Sequence, residues 1–327
     1  DGAAAQYGSD AIAGVINIVL KKSVNELTAG VYAGANFTSE AGPEKSVDGE
    51  KINVDLNYGV PIGENGGYVN FSGMFGFRGY TNRMQEWEGT IFNAYNAIER
   101  VAAAAGYDIA QLIDDDITDL QMFAPGVSYF DPVYLGQIVA APDKATLQGL
   151  LADDYTEEEL TARGMQRSDF NMRVGQSELQ NIQFFANMAV PVSSNFEFYA
   201  FGGLGFRKGS AAGFYRLPNQ ERTYTPLYIN GFLPEINSDI KDYSLAAGLR
   251  GKINEMWNLD ISNTFGHNSF AYDITNSNNA SLGNATPTEA DAGGFSYTEN
   301  TVNADMSRFY EAIFSGLNIA FGAEFRM

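Results

Sequence analysis

Lys51–Val60 reads KINVDLNYGV, and its side chains sort by parity. Ile52, Val54, Leu56, Tyr58 and Val60 fall on one side; Lys51, Asn53, Asp55, Asn57 and Gly59 fall on the other. Successive side chains of an extended chain point to opposite faces, so strict alternation over about ten residues marks a strand with one apolar and one polar face. The same period is present upstream in Leu27–Phe37. Downstream it recurs in Tyr68–Arg78, Asn181–Val190, Phe196–Arg207, Tyr243–Lys252, Trp257–Gly266 and Leu317–Met327, and more weakly in Thr301–Tyr310. The reading predicts nine strands.

A soluble sandwich also alternates, but two features point to a membrane barrel. The apolar parity carries almost no charge, with only Arg308 breaking it near a strand end. An Arg or Lys on a lipid face costs about 2–4 kcal/mol at the bilayer midplane, so a clean face is what lipid contact demands. The connections also alternate. Pro61–Gly67, Val192–Asn195, Ile253–Met256 and Ala312–Gly316 are tight, whereas Thr38–Glu50, Gly79–Gln180, Lys208–Lys241 and His267–Asn300 are longer. Long loops on one side and short turns on the other are the pattern of outer-membrane barrels.

Composition agrees. With no cysteine, the 327-residue chain has neither a disulfide framework nor a thiolate metal site. A mean hydropathy of −0.20, with no apolar run near the ~18 residues of a spanning helix, excludes a helical membrane protein but not a barrel. A net charge of −20 argues against a nucleic-acid partner, which needs clustered Lys and Arg.

The opening stretch, Asp1–Lys22 (DGAAAQYGSDAIAGVINIVLKK), differs in texture. Ala3–Gln6 and Asp10–Ala13 suit short helical turns, with Ser9 placed to cap the second. Val15–Leu20 then reads as an apolar strand closed by Lys21 and Lys22. On residue types alone this suits a fragment of any α/β domain. The order Tyr7-Gly8-Ser9-Asp10-Ala11-Ile12-Ala13-Gly14-Val15-Ile16-Asn17-Ile18, ending in Lys21-Lys22, closely resembles the end of the plug domain of TonB-dependent outer-membrane receptors. The stretches Asn181–Arg216, Asp242–Gly266, Asn276–Pro287 and Leu317–Arg326 look like successive barrel segments of one subfamily of those receptors. After the Tyr-Gly pair, starch-utilisation-type receptors usually carry Ser-Arg-Gly-Ala-Asn-Gly. Ser9-Asp10-Ala11-Ile12-Ala13-Gly14 departs from that, which speaks against a complex-glycan importer of that type.

The resemblance implies an all-β fold: a transmembrane antiparallel β-barrel preceded by the C-terminal end of a plug. Residues 1–24 are then the plug end, and 25–327 the first part of the barrel, with 79–180 a large, partly helical extracellular loop. Plugged transporters have about 22 strands and nine leave an open edge, so this span is expected to be part of a larger barrel. A complete small barrel is the blander alternative, and it leaves the plug-like segment without a role. Tyr7, Gly8, Asp10, Gly14 and Asn17 are the expected plug-architecture residues. Asp55, Glu197, Arg207, Arg250, Asp260, Glu324 and Arg326, all on polar parity, are the expected lumen wall. Leu56→Arg is expected to disrupt assembly and Asn57→Arg to be tolerated.

The implied activity is energy-dependent import of a scarce or bulky nutrient (siderophore, vitamin, saccharide or peptide) across a Gram-negative outer membrane. The implied partners are the inner-membrane TonB complex, reached through a segment N-terminal to the plug, and the lipids and lipopolysaccharide of that membrane. A passive porin and a barrel-anchored surface-binding or secretion-partner protein are the alternatives.

Within Gly79–Gln180, helices are expected over Gly89–Ala105, Ala145–Ala152 and Thr156–Arg163, the last with Thr156 and Glu159 at capping-box spacing. The loop holds 17 Asp and Glu against six Arg and Lys. The runs at 114–119 and 153–159 have enough carboxylates for Ca²⁺, but neither has EF-hand spacing, and a solvated acidic face is the simpler reading. Trp87, Tyr95, Tyr129, Tyr134, Tyr215, Tyr224 and Tyr228 are candidate substrate contacts, with loop core as their plainer role. Phe130, also in the loop, shares both readings. Catalysis finds little footing: His267 is the only histidine, and no cysteine is available as nucleophile.

Overall fold

Nine strands pair in strict chain order, β1 to β9, into one antiparallel sheet. They are β1 (Leu27–Phe37), β2 (Val47–Ile62), β3 (Gly67–Arg78), β4 (Glu178–Pro191) and β5 (Phe196–Ala212), then β6 (Glu235–Ile253), β7 (Trp257–Thr275), β8 (Ala290–Tyr310) and β9 (Leu317–Arg326). The structure, a computed structural model, describes residues 18–39, 46–113, 117–313 and 316–327. Tyr7, Gly8, Asp10, Gly14 and Asn17 lie outside the described residues, as do Asp114–Asp116. The sheet is open: among the described residues β1 and β9 each have one neighbour.

All nine expected strands form, and several run further than the alternation signalled. β6 begins at Glu235 and β7 continues to Thr275, paired throughout. The reason is chemical. Above the apolar band the pattern changes sides: Asp239, Lys241 and Asp273 fall on the formerly apolar parity while Ile240, Phe270 and Phe295 pair on the other, so the simple period is lost while the backbone ladder continues. At ~3.3 Å per residue the 19–21 residues of β6, β7 and β8 reach roughly 60 Å, about twice a bilayer core. The turns at one end span residues 63–66, 192–195, 254–256 and 311–316. The connections at the other end include 79–177, 213–234 and 276–289.

Register places the apolar set on a single face, since directly opposed residues share a face. Val54 faces Phe75, Phe75 faces Ile182, Ile182 faces Phe206, Leu249 faces Ile261 and Val302 faces Phe325. Among the described residues no second layer covers them: Leu56 is 51% exposed, Ile182 54% and Phe321 57%. An apolar surface this large is a contact surface. Aromatic pairs mark its two borders. Tyr243 stacks on His267 at 5.8 Å and meets Phe206 at 6.2 Å near one border. Trp257 meets Phe321 at 5.7 Å near the other. Arg308, which breaks the apolar parity of β8, lies at this second border, its guanidinium 4.3 Å from the Tyr310 ring and 5.8 Å from the Trp257 ring.

A packed core lies instead in 79–177, which folds as a helical roof. Its helices are α1 (Ala94–Ala104), α2 (Thr118–Phe123), α3 (Pro132–Val139), α4 (Lys144–Leu151) and α5 (Thr156–Arg163). Ile98, Leu112, Leu120, Val127, Ile138 and Leu147 form its buried centre. Asn93 caps α1 in a reciprocal pair with Asn96, and Asp131 and Asp143 cap α3 and α4. The capping box expected between Thr156 and Glu159 does not form: the N-cap position of α5 is Tyr155, without a side-chain cap. Both side chains are used in longer-range contacts instead. No helix among the described residues is long and apolar enough to cross a membrane, which has no bearing on crossing by strands.

Candidate functional site

The polar face of the sheet carries all seven expected wall residues. Starting from Asp55, the ladder links Met74, Gln183, Gly205, Asp242 and Asn268 across successive strands. Glu197, Arg207, Arg250, Asp260, Glu324 and Arg326 fall on that same face. Several of them touch. Arg250 Nε donates to Glu197 at 2.6 Å, and its guanidinium lies 4.9 Å from the Tyr199 ring. The Tyr199 hydroxyl donates to Asp260 at 2.8 Å, and Asp260 opposes Asp305 on β8. Arg326 pairs with Glu324 at 3.0 Å. Glu197, Arg250, Asp260 and Asp305 line a hollow of about 780 Å³ near the short turns. Half-exposed pairs of this kind contribute at most about 1 kcal/mol, so they make a wettable wall rather than hold the sheet together.

One patch of this face is covered. Asn57, Asn70 and Asn187, on β2, β3 and β4, are only 5%, 3% and 6% exposed. Asn57 donates to Asn70 at 2.5 Å and to Ser72 at 2.8 Å. Asn70 and Asn187 reach outward to the chain that precedes β1, donating to the Ser23 carbonyl at 2.9 Å and the Lys21 carbonyl at 2.6 Å. The expected tolerance of Asn57→Arg is therefore corrected: an Arg there displaces a buried, hydrogen-bonded side chain. Parity alone identified the face but not its covering, because the covering segment lies 166 positions from Asn187.

Above the long-loop end, the roof and two neighbouring loops interlock. Glu159 is fully buried between Arg100, at 2.9 Å, and Arg163, at 2.6 Å, and accepts the Tyr129 hydroxyl. Arg163 also donates to the Ile229 carbonyl and to Asn230 of the 213–234 loop. Glu99, also fully buried, accepts from Thr225 of that loop. Burial pushes its carboxyl up to about 7, against the lowering effects of Thr225, Asn96 and Arg163. Thr156 Oγ1 accepts the backbone N–H of Ile91 at 2.8 Å and of Phe92 at 3.2 Å. Asn278 of the 276–289 loop donates to the Arg222 carbonyl at 3.2 Å, and Asn284 accepts from Tyr224 at 2.8 Å.

The aromatic candidates divide accordingly. Tyr129, Phe130, Tyr134 and Tyr155 pack on one another, with ring centroids 4.8–5.9 Å apart. Tyr95 packs against the buried roof cluster. Tyr215 packs on Phe170 and donates to the Asn230 carbonyl, and burial pushes its hydroxyl up to about 12. Burial also raises Tyr95, Tyr129 and Tyr134 above the usual phenol range. Tyr224 is buried, and Tyr228 donates to the Ser277 carbonyl and packs on Phe232. Trp87, at 49%, keeps its ring accessible.

Three of the five carboxylates of 153–159 are engaged by neighbours. Asp154 accepts from Thr156, Glu157 pairs with Arg167 at 2.7 Å, and Glu159 holds its two arginines. Asp119 accepts the Tyr107 hydroxyl. Among the described residues no group of three or more His, Cys, Asp or Glu side chains is placed to hold a metal ion.

An antiparallel sheet with one bare apolar face, one wettable face and a folded roof over its long-loop end is compatible with part of a β-barrel membrane protein. No model of a known protein family matches the chain, and no curated protein matches it.

Proposed function

We propose that this chain is part of a TonB-dependent outer-membrane receptor that imports a scarce or bulky nutrient. The observation that carries the reading is the bare apolar band bounded by aromatic pairs. From Trp257 to His267 it spans ten residue steps, roughly 33 Å of strand, which at the usual barrel tilt gives about 25 Å of height. That matches the lipid-facing band of an outer-membrane barrel. The open edges at β1 and β9 support a larger closed barrel, in the range of the 22-strand plugged transporters. The plug-like order of residues 7–22 supports a stoppered lumen, worked by force passed from an energised inner membrane through the TonB complex.

The mechanism follows from the two faces and the roof. The interlocked loops present a single surface for capture, the charged wall keeps water and plug in the lumen, and plug displacement opens the path. Uptake of radiolabelled ferric siderophore, cobalamin, oligosaccharide and peptide by cells carrying the intact gene, with and without a protonophore, tests this. Uptake of one class that collapses with the protonophore is the expected result, whereas uptake that persists identifies a passive pore. A second reading, a surface-binding or secretion-partner protein on a barrel anchor, is favoured by one observation: the roof has a hydrophobic core of its own. Binding of a partner to the cell surface with no uptake of any class would select it.

A further inference from the structure

Three residues of the polar face meet one short length of backbone, and a fourth braces them. Asn70 donates to the Ser23 carbonyl at 2.9 Å, and Asn187 donates to the Lys21 carbonyl at 2.6 Å. Asn57 braces Asn70 from below, donating to it at 2.5 Å. Gly59 accepts the Asn25 N–H at 2.8 Å. A Cβ at Gly59 would overlap the Ser23 carbonyl, so the close approach depends on glycine there. The contacts address main-chain carbonyls and an amide, so they hold the path of the chain whatever side chains it carries.

We propose that Gly59, Asn57, Asn70 and Asn187 form an anchor that keeps residues 21–25 fixed to the lumen wall. The inference rests on the transporter reading for its purpose but not for its geometry. A wall made to slide past its plug would present water-bridged or weak contacts. This one presents buried amides whose loss of partner carries a desolvation penalty. Polar groups bonded this completely resist opening, and local opening follows the number of such bonds broken. Residues 21–25 therefore act as a fixed end held on the wall during transport.

The native chain has no cysteine, so a single introduced thiol reports local opening. Ser23→Cys is placed in the full chain in outer membranes and labelled with a water-soluble maleimide, with Val19→Cys, 81% exposed, as the assembly control. Asn70→Ala, Asn187→Ala and Gly59→Val, each added to Ser23→Cys, are expected to speed labelling on the order of tenfold while leaving the Val19→Cys rate unchanged. Equal Ser23→Cys rates with and without these changes overturn the anchor. Gly59→Val tests close approach and the two Ala variants test hydrogen bonding, so misassembly of one leaves the others decisive. In cells with an energised inner membrane, Ser23→Cys is expected to label no faster than in protonophore-treated cells, and faster labelling on energisation overturns the fixed end. Protonophore-insensitive uptake by the wild type sinks the transporter reading while leaving the variants' labelling result intact.

Discussion

The hydroxyl of Thr225 donates to the buried carboxyl of Glu99, joining the 213–234 loop to α1 across 126 positions of sequence. Arg163, Glu159 and Tyr95 surround that carboxyl, and burial outweighs the cation. Its pKa rises from 4.5 to about 7 on folding, so the folded roof binds the proton more tightly than the unfolded chain. The contribution of Glu99 is therefore fully present below pH 4.5 and is lost as pH rises through 7. Hydrogen exchange of α1 peptides is expected to quicken across that window. Glu99→Gln should flatten the dependence, and an unchanged profile in Glu99→Gln would assign it to another group.

Glu159 and Glu157 provide a matched comparison within one helix. Glu159 is buried between two arginines, whereas the Glu157 side chain in its pair with Arg167 is 71% exposed. Removing one partner of a buried pair costs about 3–5 kcal/mol, whereas an exposed pair contributes about 0–1 kcal/mol. Glu159→Gln should make the roof sensitive to limited proteolysis under conditions where Glu157→Gln behaves as wild type.

Thr156 offers a test at the level of one oxygen. Its Oγ1 accepts two backbone N–H groups, those of Ile91 and Phe92, in a fully packed setting. Thr156→Val keeps the shape and strands both donors, at a cost of about 1–3 kcal/mol for each unsatisfied group. Thr156→Ser keeps the oxygen. The thermal midpoint of the roof should drop for Val and stay near wild type for Ser.

The assignment of faces is tested by a pair of charges. Leu56→Arg places a cation on the bare apolar face, at about 2–4 kcal/mol if the site sits in lipid. Asn258→Arg places the same group on the open part of the polar face. Heat-modifiable mobility of the membrane-extracted protein should be lost in the first variant and kept in the second. Loss or survival of both would refute the facing.

Much of the sheet was legible because a period of two survives wherever one face is apolar, as in Ile52–Val60 or Trp257–Phe265. The strand ends were not. Asn237 opposes Asp273 and Asp242 opposes Asn268, pairs that are polar yet fully in register. In the roof, α1, α4 and α5 carried helical spacing or caps. Pro132–Val139 also has readable signals, an Asp131 cap and a proline in the first turn, which periodicity alone does not register. Thr156 and Glu159 had the spacing of a local cap, but their partners come from Ile91 and Arg100, and spacing says nothing about such distant residues. The same limit hid the covering of Asn57, Asn70 and Asn187. Parity put them on the right face, and only the folded chain supplied the carbonyls they hold.

The knitting of the roof to a later hairpin also makes its integrity depend on chain far downstream. Pro218, Thr225 and Asn230 satisfy groups on α1 and α5 that are made long before them. Without the 213–234 loop in place, Glu99 has no hydroxyl to meet and Arg163 lacks two of its acceptors. The roof is thus complete only once the loop that joins two strands of the sheet has closed onto it, which ties its integrity to that of the sheet beneath.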